Sequence, residues 1–411
     1  MDNITQQKGI STESHKRTIA VVALGLWSAS LTIGALRVIL PVYFASVGVS
    51  ISKIAFLFFF DALAQTLAPV VIGLTINRLG YRRSLLGGLG LHSLISFMYI
   101  FDPAFVLIYL ERFVRGLITM PLLSEVYVKH FSPKESQPHH INMMLGFRDV
   151  AKGIGMFVGG ALIAFFPFRY SIAVFGLLTT VAAVTALLYL PDLREQARTP
   201  LLKIWGAVDP KIKTLGLSRG FLQGAEDGWA SAILPVYLTV VFGLSPTLVG
   251  AVMMAGLIFY GANVGFLSRW LITGWDSRKA LIISALLLLP VCLSLSLPMS
   301  VYLFLLLICL YQLLNGACAV YQNHLKLEFA TKENTSIDLA AFKTLSNVFK
   351  PVAVFVAGVL ADTMGFSWAF YFSSLLILFC ALTCLALPQA GAQAAAVAGR
   401  SYGGELVTVK K

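Results

Sequence analysis

Eight basic and six acidic side chains lie inside long apolar stretches of this chain. The bases are Arg37, Arg112, Arg115, Arg148, Lys152, Arg219, Lys343 and Lys350, and the acids are Asp61, Glu111, Glu125, Asp149, Glu226 and Asp227. If these stretches cross a bilayer, inserting each charge costs at least about 2.5–3.5 kcal/mol, so such groups usually face a cavity or a partner. The excess of buried bases over buried acids favours binding of an anion.

Two pairs of bases are the best candidates for contacting that anion. Arg148 and Lys152 are four residues apart and share one helix face, and Lys343 and Lys350 are seven apart and share another. Without neighbouring acids or a bound anion, the members of each pair would repel one another in a low dielectric. We predict that Lys152 and Lys350 bind substrate, with Arg37 and Arg148 as the next candidates.

The adjacent acids Glu226 and Asp227 are candidates for proton coupling. Consecutive side chains on a helix point about 100° apart, so these two carboxylates cannot both meet one base. A low dielectric favours the neutral form of a carboxyl group, which can bind a proton on one side of a membrane and release it on the other. We predict this role for Glu226 or Asp227. Asp61 is a further candidate, although it is also suited to pair with Arg37 or Arg112.

Several of the charges have structural interpretations that the sequence leaves open. Glu111 precedes Arg115 by four residues, which is the favourable order for an ion pair on a helix. Pairing of Glu111 with Arg112 is a second possibility. Arg219 and Lys343 are close enough to the expected cytoplasmic edge for their charged ends to reach water.

The composition indicates that these residues belong to a membrane protein. Of the 411 residues, 58% are hydrophobic and 12% charged, whereas soluble domains are about a quarter charged. A bilayer-spanning helix needs roughly 20 mainly apolar residues, and backbone groups in lipid must be satisfied within a helix or a closed barrel. We predict an all-α membrane protein with twelve transmembrane helices, at about residues 18–44, 52–77, 84–101, 104–130, 139–166, 170–190, 212–242, 247–271, 279–297, 300–327, 338–363 and 367–387.

The distribution of the 31 Lys and Arg residues predicts the orientation. The tails and alternate loops hold 21 of them, the opposite loops hold Lys53 and Arg169, and eight lie within spans. Because Lys and Arg near span ends favour the cytoplasmic side, we expect both termini in the cytoplasm and the protein in the inner or plasma membrane. The net charge of +12 is thus mainly a topology signal and does not indicate nucleic-acid binding.

The chain carries the trace of an internal duplication. The sequence ILPVY occurs at residues 39–43 and 233–237, and three further similar pairs follow in the same order, at 73–83 and 265–279, 112–116 and 312–316, and 158–162 and 356–360. Two six-helix halves about an axis along the membrane normal are typical of many secondary transporters. We therefore predict two pseudo-symmetric bundles with polar connections: a cytoplasmic tail 1–17, a first bundle 18–190, a linker 191–211, a second bundle 212–387 and a disordered cytoplasmic tail 388–411.

The loop between spans 2 and 3 resembles a signature of the major facilitator superfamily, which reads roughly G-x-x-x-D-R-x-G-R-[RK]. The matching residues are Gly73, Asn77, Arg78, Gly80, Arg82 and Arg83. The usual Asp is replaced by Asn77, which cannot pair ionically with Arg82. The span-4 pattern R-x-x-x-G is present at Arg112 and Gly116. The resemblance covers about residues 15–390 and implies a twelve-helix fold in which this loop helps to gate transport.

The same resemblance implies which helices line a central cavity. In the superfamily these are spans 1, 4, 7 and 10, which here carry Arg37, Arg112, Glu226 and Gln312. The resemblance thus adds Arg112 and Gln312 to the candidate substrate-binding residues.

The resemblance implies secondary active transport by alternating access, and the buried charges narrow the solute to a small organic anion. Residues 148–160 and 220–238 are similar to spans of superfamily members that export organoarsenical phosphoglycerates. Similar small facilitators export carboxylate siderophores. We favour proton-coupled export of a carboxylate-type siderophore. The alternatives are export of an organoarsenical or phosphorylated anion, multidrug efflux, and a non-transporting receptor or assembly factor.

The sequence predicts neither an enzyme nor a cofactor or metal site. The spans contain no nucleophile–His pair, and the five cysteines show no metal-ligand spacing. We interpret the cysteines as buried apolar side chains. The expected partners are the anionic solute, protons and the lipid bilayer, and we expect a monomer.

Overall fold

The computed structural model describes residues 12–118, 120–132, 137–193, 208–264, 276–330 and 335–388. Within these ranges the chain forms thirteen α-helices. The first half contains α1 (Thr12–Ser46), α2 (Ile51–Met98), α3 (Phe105–Leu117), α4 (Met120–Phe131), α5 (Gln137–Phe165) and α6 (Phe168–Tyr189). The second half contains α7 (Pro210–Ala230), α8 (Ile233–Val240), α9 (Pro246–Ala262), α10 (Ser277–Ser294), α11 (Val301–Phe329), α12 (Thr335–Thr363) and α13 (Phe366–Leu385).

These helices confirm the predicted all-α membrane class. Within the described part of the chain, eight helical segments are long and apolar enough to cross a bilayer. Helix α2 contains predicted spans 2 and 3, joined across a kink at Gly80, whose φ of 79° an L side chain rarely adopts. Span 4 corresponds to α3 with α4, and span 7 to α7 with α8. Helix α1 begins at Thr12, so part of the stretch predicted as a polar tail is helical.

The interruptions in spans 4 and 7 have one physical cause. Pro121 and Pro235 lack an N–H, and each ring clashes with the carbonyl group four residues earlier. Those earlier residues are Leu117, where α3 ends, and Ser231, where α7 has just ended. Pro235 belongs to the second ILPVY copy, whereas Pro41 of the first copy lies inside the uninterrupted helix α1.

The two halves pack together at one face of the bundle. We call the face with the described chain ends the proximal face and the opposite one the distal face. Toward the distal face, Leu36, Ile39 and Phe58 of the first half form one buried apolar cluster with Val236 of α8 and Val354 of α12. A described apolar cluster toward the proximal face, around α1 and α4, contains residues of the first half alone. The largest described cluster also reaches this face and belongs mainly to the second half. The described apolar contacts therefore hold the halves together mainly in the distal part of the bundle.

Small residues allow helices of opposite halves to approach closely. A Cβ added to Gly358 of α12 would collide with Ala55 of α2, and one added to Gly250 of α9 would collide with the backbone of Met156 in α5. Close packing of this kind is a main source of helix association in lipid. The α2–α12 and α5–α9 pairs are thus close contacts between the halves in this conformation.

The proposed domain boundaries stay predictions. Most of the predicted linker 191–211 and nearly all of the predicted tail 388–411 lie outside the described residues, as does the chain before Thr12.

Candidate transport site

An acid on α7 binds two bases, one from each half of the protein. The Asp227 carboxylate lies 2.8 Å from Lys350 Nζ on α12 and 3.3 Å from Arg37 Nη2 on α1. The Ser231 hydroxyl donates a third contact to Asp227 Oδ1 at 3.2 Å. All three charged side chains are 13–14% exposed. The Arg37–Asp227 contact therefore joins the halves ionically beside the distal apolar cluster.

These three residues surround a small cavity of about 10 Å³ between the halves. That volume is about the room needed by one water molecule, so the site is nearly closed in this conformation. The cavity is lined by Arg37, Phe58, Asp61, Ala62, Gln65, Asp227, Ser231, Lys350 and Val354.

The predicted substrate ligands on α5 differ in their partners. Arg148 donates to both carboxylate oxygens of its neighbour Asp149, at 2.8 and 2.9 Å, and the pair is about one-third exposed. Lys152 is half-buried and lies within electrostatic range of two bases, Arg37 and Lys350, and of two acids, Asp227 and the Asp149 that pairs with Arg148. No ion pair of Lys152 closer than 4.0 Å occurs among the described residues. The group of Arg37, Lys152, Lys350 and Asp227 thus holds three positive charges and one negative charge, a formal excess of +2.

A second buried pair lies at the same cavity. Arg112 Nη2 is 3.3 Å from Asp61 Oδ2, with side chains that are 0% and 8% exposed. Gln65 Nε2 also donates to Asp61 Oδ2, at 3.1 Å. All three guanidinium nitrogens of Arg112 lack a hydrogen bond among the described residues, and the guanidinium lies 5.2 Å from the Phe58 ring centroid. Asp61 is therefore the partner of Arg112, which was one of the two bases, Arg37 and Arg112, that the sequence suggested for it.

Glu226 occupies a different environment from its neighbour Asp227. Its carboxylate accepts hydrogen bonds from Gln312 Nε2 at 3.3 Å and from Asn315 Nδ2 at 2.8 Å. The ion pairs of the described residues do not include Glu226. The two adjacent acids thus meet different partners, as the 100° between them requires, and Glu226 is held by neutral amides alone.

The sequence left Arg219 and Lys343 as candidates for placing their charged ends in water, and the structure gives them different environments. Arg219 donates to Gln322 Oε1 at 3.1 Å and to the Tyr260 hydroxyl at 3.2 Å, so its charge points into the second half. Lys343 is exposed. Glu125 is half-buried.

The Glu111–Arg115 pair is part of a buried structural network in the first half. Arg115 Nε donates to Glu111 Oε1 at 2.5 Å, and the Tyr99 hydroxyl donates to Glu111 Oε2 at 2.8 Å. Arg115 also contacts His92 Nδ1 at 2.9 Å and Ser96 Oγ at 3.2 Å. The alternative pairing of Glu111 with Arg112 is wrong. This network joins α2 to α3 away from the cavity.

The predicted gating loop lies at the kink of α2. Arg82 Nη2 donates to the backbone carbonyl of Leu187 at 2.8 Å, which joins the kinked part of α2 to α6. Arg78 and Arg83 are exposed, and Gly80 forms the kink. Gly73 and Asn77 lie within α2. Their roles in gating stay predictions.

Three polar residues at the site escaped the sequence analysis, and one of them is Ser231, which donates to Asp227. Asn315 makes the shorter of the two hydrogen bonds to Glu226, and Gln65 supports Asp61. Both had a detectable signal, because Asn315 follows Gln312 by three residues and Gln65 follows Asp61 by four, so each pair shares a helix face. Within the described ranges, no three His, Cys, Asp or Glu side chains are grouped closely enough to hold a metal ion.

Comparison with solved structures shows the same fold in several transporters. A bacterial homologue of the human lysosomal transporter Spinster, in an inward-facing and occupied conformation, has a TM-score of 0.75 at 12% identity, covering 90% of this chain and 96% of that one. The nucleoside transporter NupG has a TM-score of 0.74 at 13% identity, and the human organic anion transporter TETRAN one of 0.67 at 17% identity. Each of these two matches covers 90% of this chain and 99% of the other. At such identities the likeness shows the fold alone.

Sequence comparison identifies the family. A protein of Methanocaldococcus jannaschii described as an uncharacterized MFS-type transporter is 21% identical over 180 residues, or 43% of this chain and 47% of the relative. The chain thus spans about half the length of the curated relative that it matches. The model of the Major Facilitator Superfamily matches residues 22–209 and 217–404. The protein therefore belongs to the Major Facilitator Superfamily and is a multi-pass membrane protein.

Proposed function

We propose that the protein moves a small organic anion across the membrane, coupled to protons. The observation that carries the proposal is the +2 excess around the central cavity. There Asp227 is shared by Arg37 and Lys350, and Lys152 has no acid within ion-pair distance among the described residues. Buried bases without enough acids repel one another in a low dielectric, and a bound anion would relieve that repulsion. A lipophilic cation would increase it.

The contacts of Asp227 suggest how such an anion binds. In this conformation the Asp227 carboxylate contacts both Arg37 and Lys350. A carboxylate of the solute can replace it on either base, because both make the same kind of charge-assisted contact. Arg112 lies behind Asp61 at the same cavity and belongs to the site as a source of positive potential. Arg148 is neutralised by Asp149, so we assign it a lesser role.

Glu226 is the proposed proton carrier. It lies in the second half without a base within ion-pair distance among the described residues, and the hydrogen bonds that it accepts come from neutral amides. Taking up a proton there does not require breaking an ion pair. Protonation of Asp227, in contrast, would release Arg37 and Lys350 together, so we assign Asp227 a role in joining proton binding to movement of the halves.

The finer proposal is export of a carboxylate-type siderophore, with both termini in the cytoplasm. The basic cavity supports a solute with several carboxylates, and the asymmetry of Lys and Arg between loops supports the orientation. TETRAN, which shares the fold, is described as an organic anion transporter. Phosphorylated and organoarsenical anions suit the same bases, so the test below includes one phosphorylated probe.

Transport in proteoliposomes under an imposed pH gradient tests the proposal. The probes are citrate as a tricarboxylate, 3-phosphoglycerate as a phosphorylated anion and ethidium as a lipophilic cation. We expect gradient-dependent movement of an anionic probe, and we expect Lys350→Gln and Glu226→Gln to abolish it. The exposed base Lys53 provides a matched control, because Lys53→Gln removes a positive charge far from the cavity and should transport at the parent rate.

Three outcomes would contradict parts of the proposal. If Lys350→Gln and Glu226→Gln both keep the parent rate, the site assignment is wrong. If ethidium moves and neither anion does, the protein is a multidrug pump. If no probe moves with or without a gradient, a non-transporting role in the membrane is the better interpretation.

A further inference from the structure

The amides that hold Glu226 have unpaired oxygen atoms of their own. Gln312 Oε1 and Asn315 Oδ1 accept no hydrogen bond among the described residues, although these residues are only 7% and 1% exposed. Gln223 Oε1, one turn before Glu226 on α7, is also buried and unpaired. A buried acceptor that has left water without finding a donor destabilises the protein. The surroundings of Glu226 therefore offer several amide oxygens that no described donor reaches, although unpaired donors also occur nearby, at the Tyr311 hydroxyl and the Trp229 N–H.

This acceptor-rich cluster lies next to the basic cavity. Glu226 and Asp227 are consecutive, and their side chains point about 100° apart on α7. Asp227 contacts Arg37 and Lys350, whereas Glu226 contacts α11. The two environments are therefore separated by roughly the width of one helix, about 10 Å. A small molecule can reach both of them at once. Glu226 is half-buried, so part of its surface is accessible, although it does not line the nearly closed central cavity.

We infer that Glu226, Gln312 and Asn315 form a second subsite, which binds a hydroxyl or ammonium group of the same solute whose carboxylate contacts the bases. The solute class is then a hydroxycarboxylate or an aminocarboxylate. This inference rests on the proposed anion transport, since the bases must hold the other end of the molecule. The donor group of the solute would satisfy oxygens that the protein leaves unpaired.

Matched pairs of ligands test the second subsite directly. Citrate and tricarballylate differ by one hydroxyl, and glutamate and glutarate differ by one ammonium group. Binding of all four is measured by isothermal titration calorimetry on the purified full-length protein in detergent. We expect the donor-bearing member of at least one pair to bind about tenfold tighter or more, because hydrogen bonds to charged groups discriminate by at least that factor. A hydroxyl preference and an ammonium preference distinguish the two donor types.

Two variants and one matched control locate the effect. Gln312→Met keeps the length of the side chain and removes both amide atoms, and Glu226→Gln removes the charge; each should reduce the preference within the pair. The control Gln322→Met changes another buried amide of α11, one that contacts Arg219 and Ser218. It should keep the preference. Gel filtration establishes that each variant is folded.

The outcomes separate this inference from the proposed function. If both members of each pair bind equally to the parent protein, the second subsite is wrong and anion binding stands. If the preference persists in both Gln312→Met and Glu226→Gln, the subsite lies elsewhere and the inference is again wrong. If none of the four ligands binds, the proposed function for small carboxylates fails and the inference fails with it.

Discussion

The ion pair between Arg37 and Asp227 should hold the distal face closed, because it joins α1 of the first half to α7 of the second. Arg37→Gln removes this contact and leaves the pair of Asp227 with Lys350 within the second half. We expect the variant to open its distal face more often than the parent protein. The Val236 side chain, 2% exposed in the distal cluster, is a suitable reporter of that opening.

The size of the effect follows from the geometry. Two unit charges 3.3 Å apart attract by about 5 kcal/mol at an effective dielectric constant of about 20. Opening exposes both groups to water, which offsets much of this attraction, so about 1.5–3 kcal/mol remains, the range for contacts to charged groups. Since about 1.4 kcal/mol corresponds to a factor of ten, the open population should rise about 10–150-fold.

Thiol labelling measures that population. Val236→Cys is introduced into a protein whose five native cysteines are replaced, and the rate of maleimide modification is followed in detergent. The rate should rise by the same factor in Arg37→Gln, and also in Asp227→Asn. Arg112→Gln is the matched control, because Arg112 lies at the same 3.3 Å from an aspartate, Asp61, but inside the first half.

A clear result would refute this reasoning. If Arg37→Gln and Asp227→Asn both label at the parent rate, while the reporter cysteine reacts normally in the denatured protein, the ion pair does not hold the distal face. An equal increase in Arg112→Gln would indicate general loosening of the protein instead of release of the contact between halves.

Three further predictions concern packing, stability and orientation. Gly358→Ala should lower the melting temperature, because the added Cβ would collide with Ala55 of α2. Gly87→Ala, which has open space around it, should be neutral or stabilising. The opposite order in a thermal scan would contradict the α2–α12 contact. Glu111→Gln should destabilise the folded protein by about 3–5 kcal/mol, because it leaves the buried Arg115 without its acid. An unchanged unfolding midpoint in denaturant would contradict the role of the buried network. Val47 and Leu79 are both exposed and are replaced by cysteine in separate variants. An impermeant maleimide added to intact cells should modify the cysteine at position 47 and not the one at position 79. The reverse pattern would overturn the predicted orientation.

Contacts between neighbours on one helix could be anticipated from spacing. Glu111 and Arg115 are four residues apart, and their ion pair is one of the two pairings that the sequence offered. The separation of Glu226 from Asp227 followed from the angle between consecutive side chains. Asn315 and Gln65 could have been found by the same rule, because each shares a helix face with a residue already singled out.

Contacts between distant segments could not be anticipated in this way. Asp227 and Arg37 are separated in sequence by about the length of the first half, and no local pattern predicts that they will be in contact. The sequence offered both Arg37 and Arg112 as partners for Asp61, and only the packing of α2 against α3 selects Arg112. Likewise, the amides beside Glu226 come from α11, and the approach of α11 to α7 decides that they hold it.

The sequence by itself determined the all-α membrane class, the family resemblance and the list of buried charges. Each of these depends on the composition or periodicity of short segments, and the bilayer imposes the same requirement on every segment. Only the tertiary structure decided which charges neutralise each other and which stay in excess around the cavity. Pairing depends on distances of a few ångströms between helices, and those distances are set by packing contacts between residues far apart in the chain.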